Sequence, residues 1–267
     1  MIINTLRHTE ILKVTLAVVV LSVASSLSST GGLRIALLGD SMTWIGGDSC
    51  QNSTGWSHYL KESGLADCID MYARSGCTWT NTSNTKADTE FYSEVLHDDN
   101  VIYNQVLRLI DSVKKNPSKT PDLIIVYAGA NDAWFAARRP GTFHTQDSIA
   151  RYTFQSPAGD ATTLQKSVAL SCDILKESFP DSSILLVTPI EMSKVSPDIT
   201  AKVSEIIEKA AQSRGIKTLR ADRAVAIRHS EESVTPKYTT DGVHTNVAGA
   251  YILSEFIIKQ ISYNLQQ

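Results

Sequence analysis

The sequence predicts an α/β protein whose parallel sheet is covered by helices on both faces, and two observations support this. Short apolar runs alternate with amphipathic stretches along the chain after its first 30 residues; this alternation is typical of consecutive βα units. The run Asp122–Ala128 is almost continuously apolar, as expected for a strand buried on both sides. A chain of 267 residues suits one large doubly wound domain with three layers, α/β/α.

Each element is predicted from its own pattern. The strand candidates, in chain order, are Leu33–Gly39, Cys68–Ala73, Asp122–Ala128, Ser183–Thr188 and the short Lys217–Arg220. Pro121 and Pro189 mark the start of the third strand and the end of the fourth. The helix candidates are Trp56–Ser63, Ile102–Lys115, Ala161–Glu177, Ile199–Arg214 and Val247–Tyr263. Two long segments interrupt the pattern, the polar residues 78–99 and the residues 133–160, which are rich in aromatic and cationic side chains. Because both follow strand ends, we expect both at one rim of the sheet.

Residues 1–30 have the pattern of a secretory signal peptide. Arg7 and Lys13 precede the apolar run Val14–Val23, and small residues follow it, with Ser22-Val23-Ala24 as a candidate cleavage site. The apolar run is shorter than the ~20 residues that a membrane span needs. We therefore expect a leader at 1–30 and a folded domain at 31–267, secreted or periplasmic and without a stable membrane span. An uncleaved anchor and a buried helix remain as alternatives.

Composition limits the classes of partner that we expect, and it limits the disulfide and metal chemistry open to the cysteines. The formal net charge is −3 and no basic run occurs, which argues against nucleic-acid binding. Export would permit disulfides between the four cysteines, Cys50, Cys68, Cys77 and Cys172. Cys50 with Cys68 is the predicted pair, and small buried thiols are the alternative. No CxxC or Cys/His spacing suggests zinc, so we expect no metal.

A serine and a histidine at opposite ends of the chain are the main candidates for chemistry. Ser41 follows the first strand in Gly39-Asp40-Ser41, where its hydroxyl is either a helix cap or a nucleophile. Of the six histidines, only His244 has an acid three positions earlier followed by a glycine, Asp241-Gly242. In a tight loop Asp241 can reach Nδ1 of His244, which leaves Nε2 to face Ser41. A cap for the last helix is the alternative for this loop.

Two further motifs can supply an oxyanion hole. Asn131, in Gly129-Ala130-Asn131-Asp132, offers an amide donor directly after the third strand, and Gly76 offers a backbone N–H after the second. The Ser41 N–H would be the third donor. Each motif alone also fits an ordinary turn after a strand. Asp132 is expected to cap the element that follows it.

These motifs, taken in order, resemble the four blocks of the SGNH hydrolase superfamily, also called the GDSL esterase/lipase family. The blocks are Gly39-Asp40-Ser41, Gly76, Gly129-Ala130-Asn131-Asp132 and Asp241-Gly242-Val243-His244. The resemblance implies a flavodoxin-like, five-stranded parallel sheet of order 2-1-3-4-5. It also implies Ser41 as nucleophile, Asp241 and His244 as orienter and base, and Ser41, Gly76 and Asn131 as the oxyanion hole. Two positions depart from the family pattern. Arg74 and Ser75 stand ahead of Gly76, where the family often carries Asn, and Met42-Thr43-Trp44 replaces the commoner Leu-Thr.

The predicted function is a cofactor-independent serine esterase that acts through an acyl-serine intermediate. We expect short acyl groups, acetyl above all, on a small-molecule or polysaccharide ester. Trp44, Trp134 and Arg138 are the predicted substrate contacts. The alternatives are a lipase or thioesterase, an acyltransferase with the same triad, and a non-catalytic glycan-binding module. A metal site formed by Asp40, Asp132 and His244 is the least favoured reading, since the three have no tight spacing.

Overall fold

The computed structural model describes residues 32–139 and 141–265. Within this part of the chain, five strands form one sheet, all parallel and in the order β2-β1-β3-β4-β5. The strands are β1 (Leu33–Gly39), β2 (Ala66–Met71), β3 (Leu123–Tyr127), β4 (Ser183–Val187) and β5 (Lys217–Leu219). The fold class and the strand order implied by the resemblance are therefore confirmed.

The helices form two groups, which cover the two faces of the sheet. The α-helices of the described residues are α1 (Ser41–Trp44), α2 (Trp56–Glu62), α3 (Ile102–Lys115), α4 (Ala130–Trp134), α5 (Leu164–Ser178), α6 (Pro197–Gln212), α7 (Ala221–Ala224), α8 (His229–Glu232) and α9 (Val247–Leu265). Helix α2 packs on α9, whereas α3 packs on α5 and α5 on α6. This division follows from right-handed crossovers, because the chain moves one way from β1 to β2 and the other way from β3 onward.

A side-chain cap and a proline mark where two long helices begin. Helix α5 starts at Leu164, three residues later than predicted, because the Thr163 side chain caps it by accepting from the Lys166 N–H at 3.1 Å. Helix α6 starts earlier than predicted, at Pro197, a residue whose fixed φ suits the first helical position.

Strands β1 and β3 lie side by side at the centre of the sheet. All five residues of β3 are buried, as its apolar sequence predicted. Gly39 at the end of β1 pairs with Tyr127 at the end of β3. The strand order reverses between these two strands, so their carboxyl ends open the crevice in which doubly wound proteins bind ligands.

The predicted disulfide between Cys50 and Cys68 is wrong. All four cysteines lie within the described residues, and all are free thiols. Cys50 is buried in the core. Cys68 lies on the edge strand β2, where its Sγ accepts a hydrogen bond from Arg34 Nη1 at 3.0 Å. The two sulfurs therefore occupy different surroundings, one apolar and one beside a guanidinium.

The predicted leader, 1–30, lies outside the described residues. Within residues 32–139 and 141–265, no helix combines the length and apolarity that crossing a membrane requires.

Candidate active site

Ser41 is the first residue of α1, directly beyond the central strand β1. The turn between strand and helix requires glycine at position 39, where φ is +155° and a Cβ would lie 2.2 Å from the Tyr127 carbonyl oxygen. Gln105 of α3 holds this glycine in place: its Oε1 accepts from the Gly39 N–H and its Nε2 donates to the Gly39 carbonyl, both at 2.8 Å. The serine hydroxyl is thus presented by a backbone that is fixed on both sides.

The structure joins Ser41, His244 and Asp241 in one hydrogen-bonded chain. His244 Nε2 lies 2.9 Å from Ser41 Oγ, and His244 Nδ1 lies 2.7 Å from Asp241 Oδ2. An imidazole with its proton on Nδ1 donates to Asp241 and accepts from the serine hydroxyl. The three groups therefore have the geometry that proton removal from a serine requires.

The loop that carries Asp241 and His244 is held by its own aspartate. Asp241 Oδ1 accepts from the backbone N–H groups of Val243 at 2.9 Å and His244 at 2.8 Å. Partial burial opposes ionisation, but the bonds from the His244 side chain and from these two N–H groups outweigh it and lower the pKa of Asp241. The orienting carboxylate is therefore ionised at neutral pH.

Two contacts fix this loop against the rest of the domain. Gly242 has φ +84°, and a Cβ there would lie 1.9 Å from Ser193 Oγ in the segment after β4. Thr245 Oγ1 donates to the Thr54 carbonyl at 2.7 Å. The base is therefore anchored both to the end of the sheet and to the loop that precedes α2.

The three predicted oxyanion donors each have a hydrogen without a protein acceptor. In the described part of the chain, neither the Ser41 N–H nor the Gly76 N–H donates to a protein acceptor. Asn131, the second residue of α4, uses one amide hydrogen to donate to the Cys77 carbonyl at 2.9 Å, and its second hydrogen has no protein acceptor. Gly76 has φ +72°, and a Cβ would approach the Val95 carbonyl carbon to 2.3 Å, so this position also requires glycine.

Two buried carboxylates connect the motifs beneath the site. Asp40 accepts from the N–H of Met42 at 2.9 Å and from those of Gly129 and Ala130 at 3.2 Å, so it ties the nucleophile to the turn that carries Asn131. Burial raises the pKa of Asp40 to about 7. Asp132 accepts from the N–H of Trp79 at 2.8 Å and of Thr80 at 2.9 Å. Burial raises the pKa of Asp132 as well.

These bonds correct the prediction that Asp132 caps the element that follows it, since Asp132 lies within α4 and binds the segment that follows Gly76 instead. They also give Asp40, Asp132 and His244 separate partners. The two aspartates are occupied by backbone N–H groups, and His244 is occupied by Ser41 and Asp241.

The three predicted substrate contacts lie in different surroundings. Trp44 ends the helix that Ser41 begins, and its Nε1 donates to Asp48 Oδ1 at 3.2 Å. Trp134 ends the helix that carries Asn131; it is 44% exposed and stacks on Phe135. Arg138 lies over the Phe135 ring at 5.6 Å. Among the described contacts, none joins Trp134 or Arg138 to Ser41 or His244, so Trp44 is the candidate most directly linked to the serine.

The two long segments were expected at one rim of the sheet, and the structure gives them different partners. Beyond Arg139, the second segment packs against α5 and α6: Arg151 Nη1 donates to Asp173 at 2.9 Å, and Phe143 lies beneath Lys202. The expectation fails because these aromatic and cationic groups find partners on the helices. The first segment does border the site, since Asn100 Nδ2 donates to the carbonyls of both Ser75 and Val95.

Several residues of the site escaped the sequence reasoning. Asp40 belongs to the first motif, but the sequence does not show that it binds the third motif. Its bonds to the Gly129 and Ala130 N–H groups give it a structural role. Gln105 carried no signal, because a glutamine within an amphipathic helix is ordinary. Arg74 was noticed only as a departure from the family pattern.

Comparison with known proteins agrees with this geometry. The profile of the GDSL-like Lipase/Acylhydrolase family matches residues 35–257. The chain therefore belongs to this family, within the SGNH hydrolases, and the function this supports is that of a hydrolase acting on esters. No curated protein sequence matches the chain.

Solved structures share the fold at low sequence identity. A protein from Lactobacillus plantarum is 16% identical, with a TM-score of 0.60 over 88% of this chain and 98% of its own. A Bacteroides uniformis protein assigned to the GDSL-like lipases is 18% identical, with a TM-score of 0.55 over 87% and 97%. An acetyl xylan esterase is 20% identical, with a TM-score of 0.51 over 85% and 99%.

Proposed function

We propose that the protein is a serine esterase that works through an acyl-serine intermediate. The observation that carries the proposal is the hydrogen-bonded chain from Ser41 through His244 to Asp241. The N–H groups of Ser41 and Gly76 and one hydrogen of the Asn131 amide have no protein acceptor, which supports their role as oxyanion donors. A nucleophile, an oriented base and an oxyanion site together are sufficient for acyl transfer.

In the first half of the reaction, His244 Nε2 takes the proton of Ser41 as Oγ attacks the ester carbonyl. The carbonyl oxygen becomes negative and is stabilised by the three donors. When the tetrahedral intermediate collapses, its bond to the alcohol oxygen breaks and His244 gives its proton to the departing alcohol. Water then attacks the acyl-serine by the same steps, which release the acid and restore Ser41. Asp241 stabilises the imidazolium formed in each half.

The proposed substrate is a short-chain acyl ester, acetyl above all, on carbohydrate. The His244 and Asp241 side chains are 30% and 53% exposed, so a bulky alcohol such as a saccharide can reach the base from solvent. The exposed indole of Trp134, close to Asn131, offers a face on which a sugar ring can stack. One protein with the same fold is an acetyl xylan esterase, which adds support to this choice.

A nucleophile variant tests the reaction class. Ser41→Ala should lower kcat by several orders of magnitude with the fold intact, about 10⁴-fold or more by analogy with other triads. Ser49→Ala, an exposed serine in the loop after α1, is the matched control and should retain full activity. A fluorophosphonate probe should label the wild type and the control but not Ser41→Ala. Absence of an adduct in folded wild-type protein would instead support a non-catalytic glycan-binding module.

The acyl group is tested with matched acetyl and octanoyl esters of one alcohol. We expect higher kcat/KM for acetyl, and a preference for octanoyl would contradict the short-chain proposal in favour of a lipase. Product analysis with an added alcohol acceptor identifies the second substrate: the free acid indicates hydrolysis, and a new ester indicates acyl transfer. In either case kcat/KM should fall toward acid pH, because an imidazolium cannot accept the Ser41 proton.

We also propose export through residues 1–30. The support is the charged start, apolar run and small residues of the sequence. Amino-terminal sequencing of protein recovered outside the cytoplasm should find a chain that begins near residue 25, close to Ala24. An uncut chain retained with the membrane fraction would contradict this.

A further inference from the structure

The two positions that depart from the family pattern meet in the structure beside the serine. Trp44 lies in the same four-residue helix as Ser41. Arg74 joins the first motif through its backbone, since its N–H donates to the Gly39 carbonyl at 3.1 Å. The Arg74 guanidinium lies 5.9 Å from the centre of the Trp44 ring. These departures therefore form one local surface next to the nucleophile.

Arg74 is only partly occupied by protein acceptors. Its Nη1 donates to Asp48 Oδ1 at 2.9 Å and to the Ala73 carbonyl at 2.7 Å. Within the described residues, no acceptor is bound to Nε or Nη2. Asp48, the acidic partner, is 67% exposed, whereas the Arg74 side chain is 13% exposed. An exposed partner of this kind holds a guanidinium weakly, because water screens the attraction.

A second arginine adds positive charge beside the same ring, opposed by the charge of Asp88. Arg74 and Arg108 each lie 4.6 Å from the centre of the Tyr92 ring. Arg108 is 4% exposed, its Nε has no hydrogen-bond partner, and it forms no ion pair with a carboxylate in the described part of the chain. Burial lowers the pKa of Arg108, and the charge of Arg74 acts in the same direction.

Arg108 and Tyr92 border a cavity of about 420 Å³. The carboxylates that line it already have basic partners, since Asp111 pairs with Lys115 and Asp70 pairs with Lys119 and Arg34. The residues that line this cavity therefore include three cations, Arg108, Lys115 and Lys119, and two carboxylates.

We propose that Arg74, with Arg108 behind it, recognises a carboxylate on the alcohol part of the substrate, which makes the preferred substrate an acylated saccharide that contains a uronic acid. This proposal rests on the proposed esterase function. The free edge of the Arg74 guanidinium offers Nε and Nη2 side by side, the arrangement that binds a carboxylate in a bidentate manner. The Trp44 and Tyr92 rings flank the guanidinium and hold its plane in position.

A matched substrate pair tests the proposal: acetylated methyl glucuronoside, which carries the carboxylate, and acetylated methyl glucoside, which does not. In wild type we expect kcat/KM to be about tenfold or more higher for the acidic ester, mainly through KM, and the preference should shrink as salt is added. Arg74→Gln should lower kcat/KM for the acidic ester much more than for the neutral ester and so remove the preference, because no guanidinium then binds the carboxylate. Arg223→Gln, which removes an exposed arginine paired with Glu205, is the control and should keep the preference.

A second variant keeps the test decisive if Arg74→Gln folds poorly. Asp48→Asn removes the competing carboxylate and should increase the preference for the acidic ester. Equal wild-type rates on the two esters, or a preference that survives Arg74→Gln, would overturn the subsite while leaving the esterase function intact. No hydrolysis of either ester, together with no labelling of Ser41, would overturn both proposals.

Discussion

Two long segments follow strands of the sheet, and the structure uses them in different ways. Residues 78–99 meet the site through the backbone: Trp79 and Thr80 donate to Asp132, and the Val95 backbone lies against Gly76. Residues 141–160 instead pack on the helices that cover the sheet. Arg214, just beyond the end of α6, donates to the carbonyls of Ile149 and Ala150. The polar segment is therefore part of the site, and most of the aromatic and cationic segment is packing.

This difference shows why composition was a poor guide to the substrate region. Tryptophan, phenylalanine and arginine suggest binding when they are read from sequence, but they are also the side chains that best fill gaps between helices. The first segment instead has small polar residues, its asparagines, serines and threonines, and its backbone approaches the backbone of Gly76 closely. The variants below compare the two segments, beginning with the largest expected effect on activity.

A matched pair of glycine substitutions makes the first comparison. Gly76→Ala should lower kcat/KM about 100-fold or more, because the new methyl would lie 2.3 Å from the Val95 carbonyl carbon and displace an oxyanion donor. Gly141→Ala, in the other segment, would meet the Thr162 carbonyl oxygen at 2.0 Å. It should cost about 1–3 kcal/mol of stability without changing kcat/KM. Ester kinetics and thermal melts distinguish the two, and an equal loss of kcat/KM in both would refute the comparison.

A second pair of variants replaces two buried carboxylates, one bonded to each long segment. Asp132→Asn replaces an acceptor of backbone N–H groups by an amide that has one acceptor fewer, so we expect kcat/KM to fall about tenfold. Asp173→Asn weakens a pair with Arg214 in which both side chains are under 5% exposed. It should lower the free energy of unfolding by up to about 3–5 kcal/mol and leave kcat/KM of the folded enzyme unchanged. Activity lost only in Asp173→Asn would reverse the roles assigned to the two segments.

Asp40, whose carboxyl group lies beneath the site, should make the free energy of unfolding depend on pH. Burial raises the pKa of Asp40 from its ordinary value of 3.8 to about 7. Between about pH 4 and pH 7 the unfolded chain therefore releases this proton while the folded chain retains it. The free energy of unfolding of wild type, relative to Asp40→Asn, should fall as pH rises through this window, by about 1 kcal/mol per pH unit. Denaturant titrations at several pH values measure it, and parallel curves for the two proteins would contradict it.

The smallest effect is expected at Phe143 of the second segment. Its ring lies 4.6 Å from Lys202 Nζ and packs at the edge of the core. Phe143→Leu should cost about 0.5–1 kcal/mol of stability through the lost cation–π contact, with kcat/KM unchanged. A drop in kcat/KM would show that this part of the segment does reach the substrate.

Much of the fold and the main site residues could be predicted from local patterns. The apolar run of β3, the serine after β1 and the acid three residues before His244 all rest on short-range geometry, because period and spacing dictate which groups point the same way. The Cys50–Cys68 pairing was wrong, and the rim position expected for residues 133–160 failed beyond Arg139, for the opposite reason. Both depend on which distant side chains supply partners, and spacing along the chain carries no such information.

By itself, the sequence predicted a doubly wound α/β domain and named Ser41, His244, Asp241, Asn131 and Gly76 as candidate site residues, since motif order and hydrophobic period can be read directly along the chain. Only the tertiary structure decided that Asp40 and Asp132 hold these motifs together from below. It alone brought Arg74 and Arg108 to the two contacts with Tyr92. The physical reason is that parallel strands place residues far apart in sequence at one rim, where burial and charge act between groups whose proximity no local pattern records.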